Sequence, residues 1–210
     1  MLACIDRYPS LYYGYYFGLL WRGGIAADIT PSYAGLSVDR LRGINAAFSR
    51  LGISVKTIFL MRDPVSRCVS AFNMEVHKAS KRGVDSFPQL DTNPDQAFLD
   101  FVGTDGCQAR TDYPATLASL RAAFEPEQIG LYFYETLFDP KTIRDFSDFL
   151  GVGYHPQRAE TKANVAKKKI RPSEQALKQC AQMYHATYDQ MAQDNPQLRD
   201  LWRGYTYLNT

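Results

Sequence analysis

Cysteine is scarce and scattered in this chain: Cys4, Cys68, Cys107 and Cys180 are far apart and form no CxxC pair. That spacing excludes a sequence-local zinc ribbon or a CxxC redox motif. At 210 residues the chain needs no disulfide framework to hold a core together. The cysteines are therefore expected to be reduced and buried, in a cytoplasmic protein. No metal-ligand cluster is visible, so no metal is expected. Long apolar runs are missing as well, and nothing approaches the roughly 18 consecutive apolar residues of a membrane span. The opening MLACIDRYPSLYYGYYFGLLW is aromatic but interrupted by Asp6, Arg7 and Pro9, and has neither a basic n-region nor a small-residue cleavage site. It is not read as a signal peptide. Finally, no sign of charge dominates: 24 basic against 22 acidic residues leave a net charge of +2. That balance argues against a general nucleic-acid or membrane-surface binder. Any anion site must be a local constellation.

What is present is an ordinary globular composition, 45% apolar and 22% charged, in a length that suits a single domain over 1–210. Ser37 is placed to cap a helix to about Leu51, with Val38, Leu41, Ile44 and Phe48 on one face and Gly52 as terminator. Val55 to Met61 is short, apolar and β-branched, and predicts a buried strand. Asp63-Pro64 then reads as an N-cap followed by proline at the first helical position. Residues 80–95 are polar and hold two prolines, which predicts a surface excursion. Asn93 opens a further helix to about Val102, and another runs from near Tyr113 to Phe124. Ile129 to Tyr134 predicts a second buried strand, after which Asp139-Pro140 repeats the cap-and-proline device before a helix ended by Gly151. A last long helix starts at Ser173 and carries Leu177, Cys180, Ala181, Tyr184, Tyr188 and Met191. Strands separated and followed by helices predict an α/β domain with a parallel sheet.

The chemistry-bearing stretch is Arg62-Asp63-Pro64-Val65-Ser66-Arg67-Cys68-Val69-Ser70-Ala71-Phe72. An arginine at the carboxyl end of a buried strand is where open α/β sheets bind ligands. The helix start behind it offers unsatisfied N–H groups and a partial positive charge. A guanidinium binds phosphate through two parallel hydrogen bonds, and a serine hydroxyl adds another. Ser66, Ser70, Asn73 and His77 are spaced to share one helix face.

R-D-P-x-x-R-x-x-S-A-F after a hydrophobic strand resembles the 3′-phosphate-binding motif of sulfotransferases that use 3′-phosphoadenylyl sulfate (PAPS). The resemblance implies that Arg62 and Ser70 hold the nucleotide's 3′-phosphate. Asp28-Ile29-Thr30-Pro31-Ser32-Tyr33 is similar to the E-K/I-S/T-P-x-Y element of the carbohydrate-type branch. Tyr113 with Leu117, then Phe124, then Leu131 to Pro140 resemble a Y-x-x-x-L … F … Y/F-E-x-L-x-x-D-P run, and Phe149-Leu150-Gly151-Val152 follows it as F-L-G-V/I. For Glu135 in that run a structural hydrogen-bonding or capping role is expected. Lys167-Lys168-Lys169-Ile170-Arg171-Pro172 stands where the family has a basic loop of K-G-R-K-x-P type over the nucleotide phosphates, here without its glycine. Lys168, Lys167 and Lys169 are the candidates for nucleotide contact. The implied fold is α/β and P-loop-NTPase-like, a parallel sheet flanked by helices. The implied reaction moves a sulfuryl group from PAPS to a hydroxyl or amine acceptor, with sugars and glycans favoured and small alcohols, lipids and peptides open.

The family's first strand and its K-x-G-T-T/S phosphate loop have no counterpart in residues 1–30, nor is the K-E-x-x-Y/F-F-D segment present beyond the tail-like Cys4 to Pro9. The chain is read as starting after that strand and loop, by truncation rather than divergence. The best candidate for catalysis among the residues present is His77, which shares the Ser70 face; Glu75 and Asp28 are weaker alternatives, and Asp28 could instead brace its loop. A P-loop kinase would need a Walker loop and leaves the R-x₇-S motif unexplained. A degenerate sulfotransferase-like module that binds nucleotide or glycan without turnover stays open.

Overall fold

The computed structural model describes residues 7–21, 23–84, 86–157 and 170–209. These form a mixed α/β structure, mostly helical, with a small two-stranded parallel sheet. The chain divides into two compact units, residues 1–58 with 115–130, and residues 59–114 with 131–210.

In the first unit the aromatic opening run folds as helix α1 (Pro9–Leu20), with proline in its first turn. Tyr12, Tyr13 and Tyr16 pack edge-on against Phe48 of α2 (Val38–Arg50), with ring centroids 5.1–6.1 Å apart. Tyr33, Ile44, Ile53 and Val55 complete this small core. Its aromatic area compensates for the poor helix propensity of a tyrosine- and glycine-rich sequence. As expected, Ser37 caps α2 by accepting from the Arg40 N–H, and Gly52 leaves it at φ +72°, where a side chain would be strained. A 3₁₀ turn, Pro31–Gly35, follows Thr30. The Thr116 hydroxyl donates to the Ala34 carbonyl, and Gln128 donates to the Val55 carbonyl at 2.9 Å.

Strands β1 (Thr57–Met61) and β2 (Ile129–Phe133) pair. The expectation that both are wholly buried is corrected. Met61 is 1% exposed, whereas Ile58, Leu60 and Leu131 are 40–42% exposed. Side chains alternate across a strand, and in β1 only the face carrying Phe59 and Met61 is covered; Phe59 meets Tyr113 edge-on at 5.6 Å.

The second unit is built on α3 (Pro64–Arg82), α4 (Pro94–Val102), α8 (Glu174–Met183) and α11 (Tyr205–Leu208), which pack on one another. Between α4 and α8 in sequence lie α5 (Asp105–Gln108), α6 (Tyr113–Ala123) and α7 (Pro140–Leu150). The core centres on Phe72, Phe98, Tyr188, Leu198 and Trp202, all fully buried. Trp202 is ringed edge-on by Tyr113, Phe133 and Tyr188, each at 5.9 Å. Cys68, Cys107 and Cys180 are free and buried.

Two expectations need correction here. The last long helix is interrupted: Tyr184 leaves helical geometry at φ −108°, ψ 17°, and α9 (His185–Asp194) begins after it. The Tyr184 hydroxyl donates to the Val102 carbonyl at 3.0 Å, a buried tertiary bond that outweighs one helical turn. The Asp139 side chain makes no capping bond, although Asp139 precedes α7 just as Asp63 precedes α3. Short helix α10 (Leu198–Leu201) ends at Trp202, whose N–H donates back to the Leu198 carbonyl.

Candidate anion site at the β1–α3 junction

Arg62 follows β1 directly, and the peptide group that leads out of it is held at both its oxygen and its nitrogen. The Tyr113 hydroxyl donates to the Arg62 carbonyl at 2.7 Å, and the next N–H, that of Asp63, donates to Glu135 Oε1 at 2.8 Å. Glu135 sits in the 3₁₀ turn Tyr134–Thr136 after β2, and its Oε2 accepts from the buried Trp202 indole at 3.3 Å. Its role in the fold is thus hydrogen bonding, as expected. Burial pushes the Tyr113 phenol well above the ordinary tyrosine range, which keeps its proton available to donate.

Asp63 is 2% exposed. Its carboxylate accepts from the Ser66 N–H at 2.8 Å and the Tyr188 hydroxyl at 3.2 Å, and also from the Gly204 N–H. The Tyr188 oxygen in turn accepts from the Val65 N–H at 3.3 Å. Glycine is required at position 204, because a Cβ there would overlap the Tyr188 hydroxyl. These bonds correct one part of the sequence reading. The start of α3 was expected to offer free N–H groups to an anion. Pro64 has none, Val65 gives its own to Tyr188 and Ser66 gives its own to Asp63. A buried capping carboxylate has taken the first turn, so anion binding here falls to side chains.

The Arg62 guanidinium lies over the Tyr134 ring, 4.5 Å from its centroid, and among the described residues pairs with no carboxylate. Ser66 is half-buried and Ser70 and His77 are exposed along α3. Asn73, on the same face, makes a reciprocal pair with Ile170: its amide donates to the Ile170 carbonyl at 3.0 Å and accepts from the Ile170 N–H at 2.7 Å. Lys167, Lys168 and Lys169 lie outside the described residues. The chain that follows directly on Lys169 is therefore tied to α3 one turn beyond Ser70.

The second arginine of the motif goes elsewhere. Arg67 is turned into the core, donating to the Cys107 carbonyl at 3.2 Å and approaching the Cys107 and Cys68 sulfurs at 2.9 and 3.4 Å, with its Nε buried and without a partner. The two sulfurs are 3.8 Å apart, and burial pushes the Cys68 thiol up to about 12.

Asp28 belongs to the first unit. It accepts from the Tyr12 hydroxyl at 3.0 Å, the Thr30 hydroxyl at 2.8 Å and the Tyr33 hydroxyl. Burial, with Asp28 adding to it, pushes the Tyr33 phenol up to about 12. Three donors on one carboxylate brace the Asp28–Tyr33 turn, the second of the two roles weighed for it. Glu75 is paired with Lys78 at 2.8 Å. Among the described residues no group of His, Cys, Asp and Glu could hold a metal ion, and no helix is long and apolar enough to cross a membrane.

The structure thus gathers Arg62, Ser66, Ser70, Asn73 and His77 along one strand end and one helix face of the second unit, whereas Asp28 belongs to the first. Sequence reading missed the clamp formed by Tyr113, Glu135 and Asp63, and the Asn73–Ile170 tie. Neither leaves a local signal in the sequence, because each joins residues more than 50 positions apart. No protein-family model, curated protein or solved structure matches this chain.

Proposed function

We propose that this chain is the nucleotide-binding part of a PAPS-dependent sulfotransferase, with the P-loop-like fold of that family. The observation that carries the reading is Arg62. The peptide that follows it is held by Tyr113 and Glu135, and its guanidinium lies over the Tyr134 ring with no carboxylate partner among the described residues. A cation at a strand end, followed by serines on one helix face, suits the 3′-phosphate of the nucleotide. The Asn73–Ile170 tie supports a part for Lys167, Lys168 and Lys169, because it holds the chain beside them on the Ser70 face.

In the reaction the bond from sulfur to the 5′-phosphate oxygen breaks and a bond from sulfur to the acceptor oxygen or nitrogen forms. The electron pair stays on the departing 3′-phosphoadenosine 5′-phosphate (PAP), and the acceptor's proton passes to a base. Such a transfer needs in-line positioning, charge stabilisation on the leaving phosphate and a placed base. His77 is the base candidate on the Ser70 face. The acceptor is a hydroxyl- or amine-bearing molecule, with a glycan favoured by the sequence resemblance.

A second reading, a nucleotide- or glycan-binding module without turnover, is favoured by Asp28. Its carboxylate accepts three hydroxyl donors that brace its own turn, a structural use of a residue otherwise named as a catalytic candidate.

Calorimetric titration of PAP and of 5′-AMP into the chain tests the nucleotide site from the ligand side. PAP binding at least tenfold tighter than AMP supports recognition of the 3′-phosphate. Equal affinities, or no binding of either, contradict it. Production of PAP from PAPS in the presence of a glycan acceptor separates the enzyme from the silent module.

A further inference from the structure

On the far side of α3 from the Ser70 face, the second unit holds an open cleft of about 550 Å³. Glu75, Lys78, Ala79 and Arg82 line it; Glu75 is two residues from Asn73, about 200° round the helix. The cleft exists because α3 ends abruptly. Gly83 adopts φ +64° and the Val84 N–H returns to the Ala79 carbonyl, which ends the helix and turns the chain away from its axis. Phe87 on that returning segment meets Phe72 at 5.2 Å, and Phe101 of α4 meets both rings. Phe87 and Phe101, with Ala97 and Pro88, make an apolar floor.

The rim carries a cationic excess. Lys78 is neutralised by Glu75 at 2.8 Å; Asp100, which accepts the neutral Gln96 amide at 2.7 Å, keeps its charge, so the two arginines leave the rim one positive charge in excess. Arg82 and Arg110 also line the cleft, and among the described residues neither has a carboxylate partner. Arg110 is half-buried, its Nε spent on the Gly106 carbonyl at 2.8 Å, which fixes the plane of the guanidinium and leaves its terminal N–H groups to a ligand. Cavities of roughly 300–1,000 Å³ with an apolar floor and a few fixed polar groups are the usual form of small-molecule sites. Guanidinium forks select planar or tetrahedral oxyanions.

We propose that this cleft binds a ring compound carrying a sulfate or carboxylate, the ring resting on Phe87, Phe101 and Pro88 and the oxyanion held by Arg82 and Arg110. The site is separate from the nucleotide site and does not depend on it. Aromatic acids and anionic sugars share this chemistry, so two probes distinguish them: phenyl sulfate and glucose 6-sulfate.

Each probe is titrated calorimetrically into wild type, Arg82→Gln, Arg110→Gln and Arg62→Ala. Arg82→Lys serves as a variant that keeps charge and fold but loses the fork. The expected result is binding of at least one probe, weakened tenfold or more in each Arg→Gln variant and measurably in Arg82→Lys, but unchanged in Arg62→Ala and under saturating PAP. Tighter binding of phenyl sulfate assigns the aromatic class, and tighter glucose 6-sulfate the sugar class. Three results overturn the proposal: no binding of either probe at millimolar concentration, binding indifferent to Arg82 and Arg110, or binding lost in Arg62→Ala.

Discussion

Glu135 Oε1 accepts the Asp63 N–H at 2.8 Å, joining the turn after β2 to the residue that follows Arg62. The same carboxylate holds the Trp202 indole with its other oxygen. Removing it leaves two partly buried donors without acceptors. Glu135→Ala is expected to lose about 2–3 kcal/mol of stability. Glu135→Gln, which keeps one acceptor, is expected to lose less. Urea unfolding of both variants gives the comparison, and equal losses would mean that bulk rather than hydrogen bonding matters at this position.

Position 204 tests the other side of the same clamp. A methyl group there must displace the Tyr188 hydroxyl from Asp63 and from the Val65 N–H. Gly204→Ala is expected to cost about 1–3 kcal/mol, the usual penalty of overpacking. In the double variant Gly204→Ala with Tyr188→Phe, removing the hydroxyl relieves the overlap. The two single losses should then sum to more than the double loss. Strict additivity in denaturant unfolding would show that the glycine and the tyrosine do not interact.

How much of this was legible beforehand follows from the range of each interaction. The caps at Ser37, Asp63, Asn93 and Ser173 are local chemistry, each side chain accepting the amide three residues on, and all four were readable from residue type and spacing. Glu135 to Asp63 spans 72 residues and Asn73 to Ile170 spans 97. No local pattern encodes which distant carboxylate or amide will meet a given N–H. The break at Tyr184 is of the same kind, since an unbroken helical periodicity ran through it. The strands misled for a different reason: β1 and β2 are apolar on both faces in sequence, and apolar residues do not say whether a second face is covered. Within the candidate site, Arg62 and Ser70 were named from the motif, but the loss of the helix-start amides to Asp63 and Tyr188 was not foreseeable from it.

The Asn73 tie yields a prediction about ligand rather than fold. Asn73→Ala removes both hydrogen bonds to Ile170 from a half-buried position and is expected to cost about 1–2 kcal/mol of stability. If the basic run reaches the nucleotide, PAP affinity falls several-fold in this variant at a temperature where it remains folded. Unchanged affinity would remove Lys167, Lys168 and Lys169 from the site.

Alkaline pH probes the buried thiols. The Cys68 thiol keeps its proton to about 12 when folded, against an ordinary value of 9.0. Folding therefore retains a proton that the unfolded chain releases, and stability is intact below about pH 9 and falls as pH rises through that window. The limiting slope is about 1.4 kcal/mol per pH unit for each such group. Cys107 and the buried Tyr113 and Tyr188 shift in the same direction, Cys107 first through its contact with the Cys68 thiol and then through burial, the two tyrosines chiefly through burial. Urea midpoints between pH 8 and 11 should drop more steeply for wild type than for Cys68→Ala. Parallel curves would mean that Cys68 does not titrate differently in the two states.

The central claim is that the guanidinium of Arg62, which pairs with no carboxylate among the described residues, binds the 3′-phosphate of a nucleotide. Calorimetric titration of PAP into wild type and Arg62→Ala tests it most directly, because this half-buried side chain supports no ion pair among the described residues and its removal should leave the fold intact. Binding by the wild type that weakens at least tenfold in the variant, a loss of about 1.4 kcal/mol or more, is the predicted result. Binding of equal strength in the two proteins would contradict it.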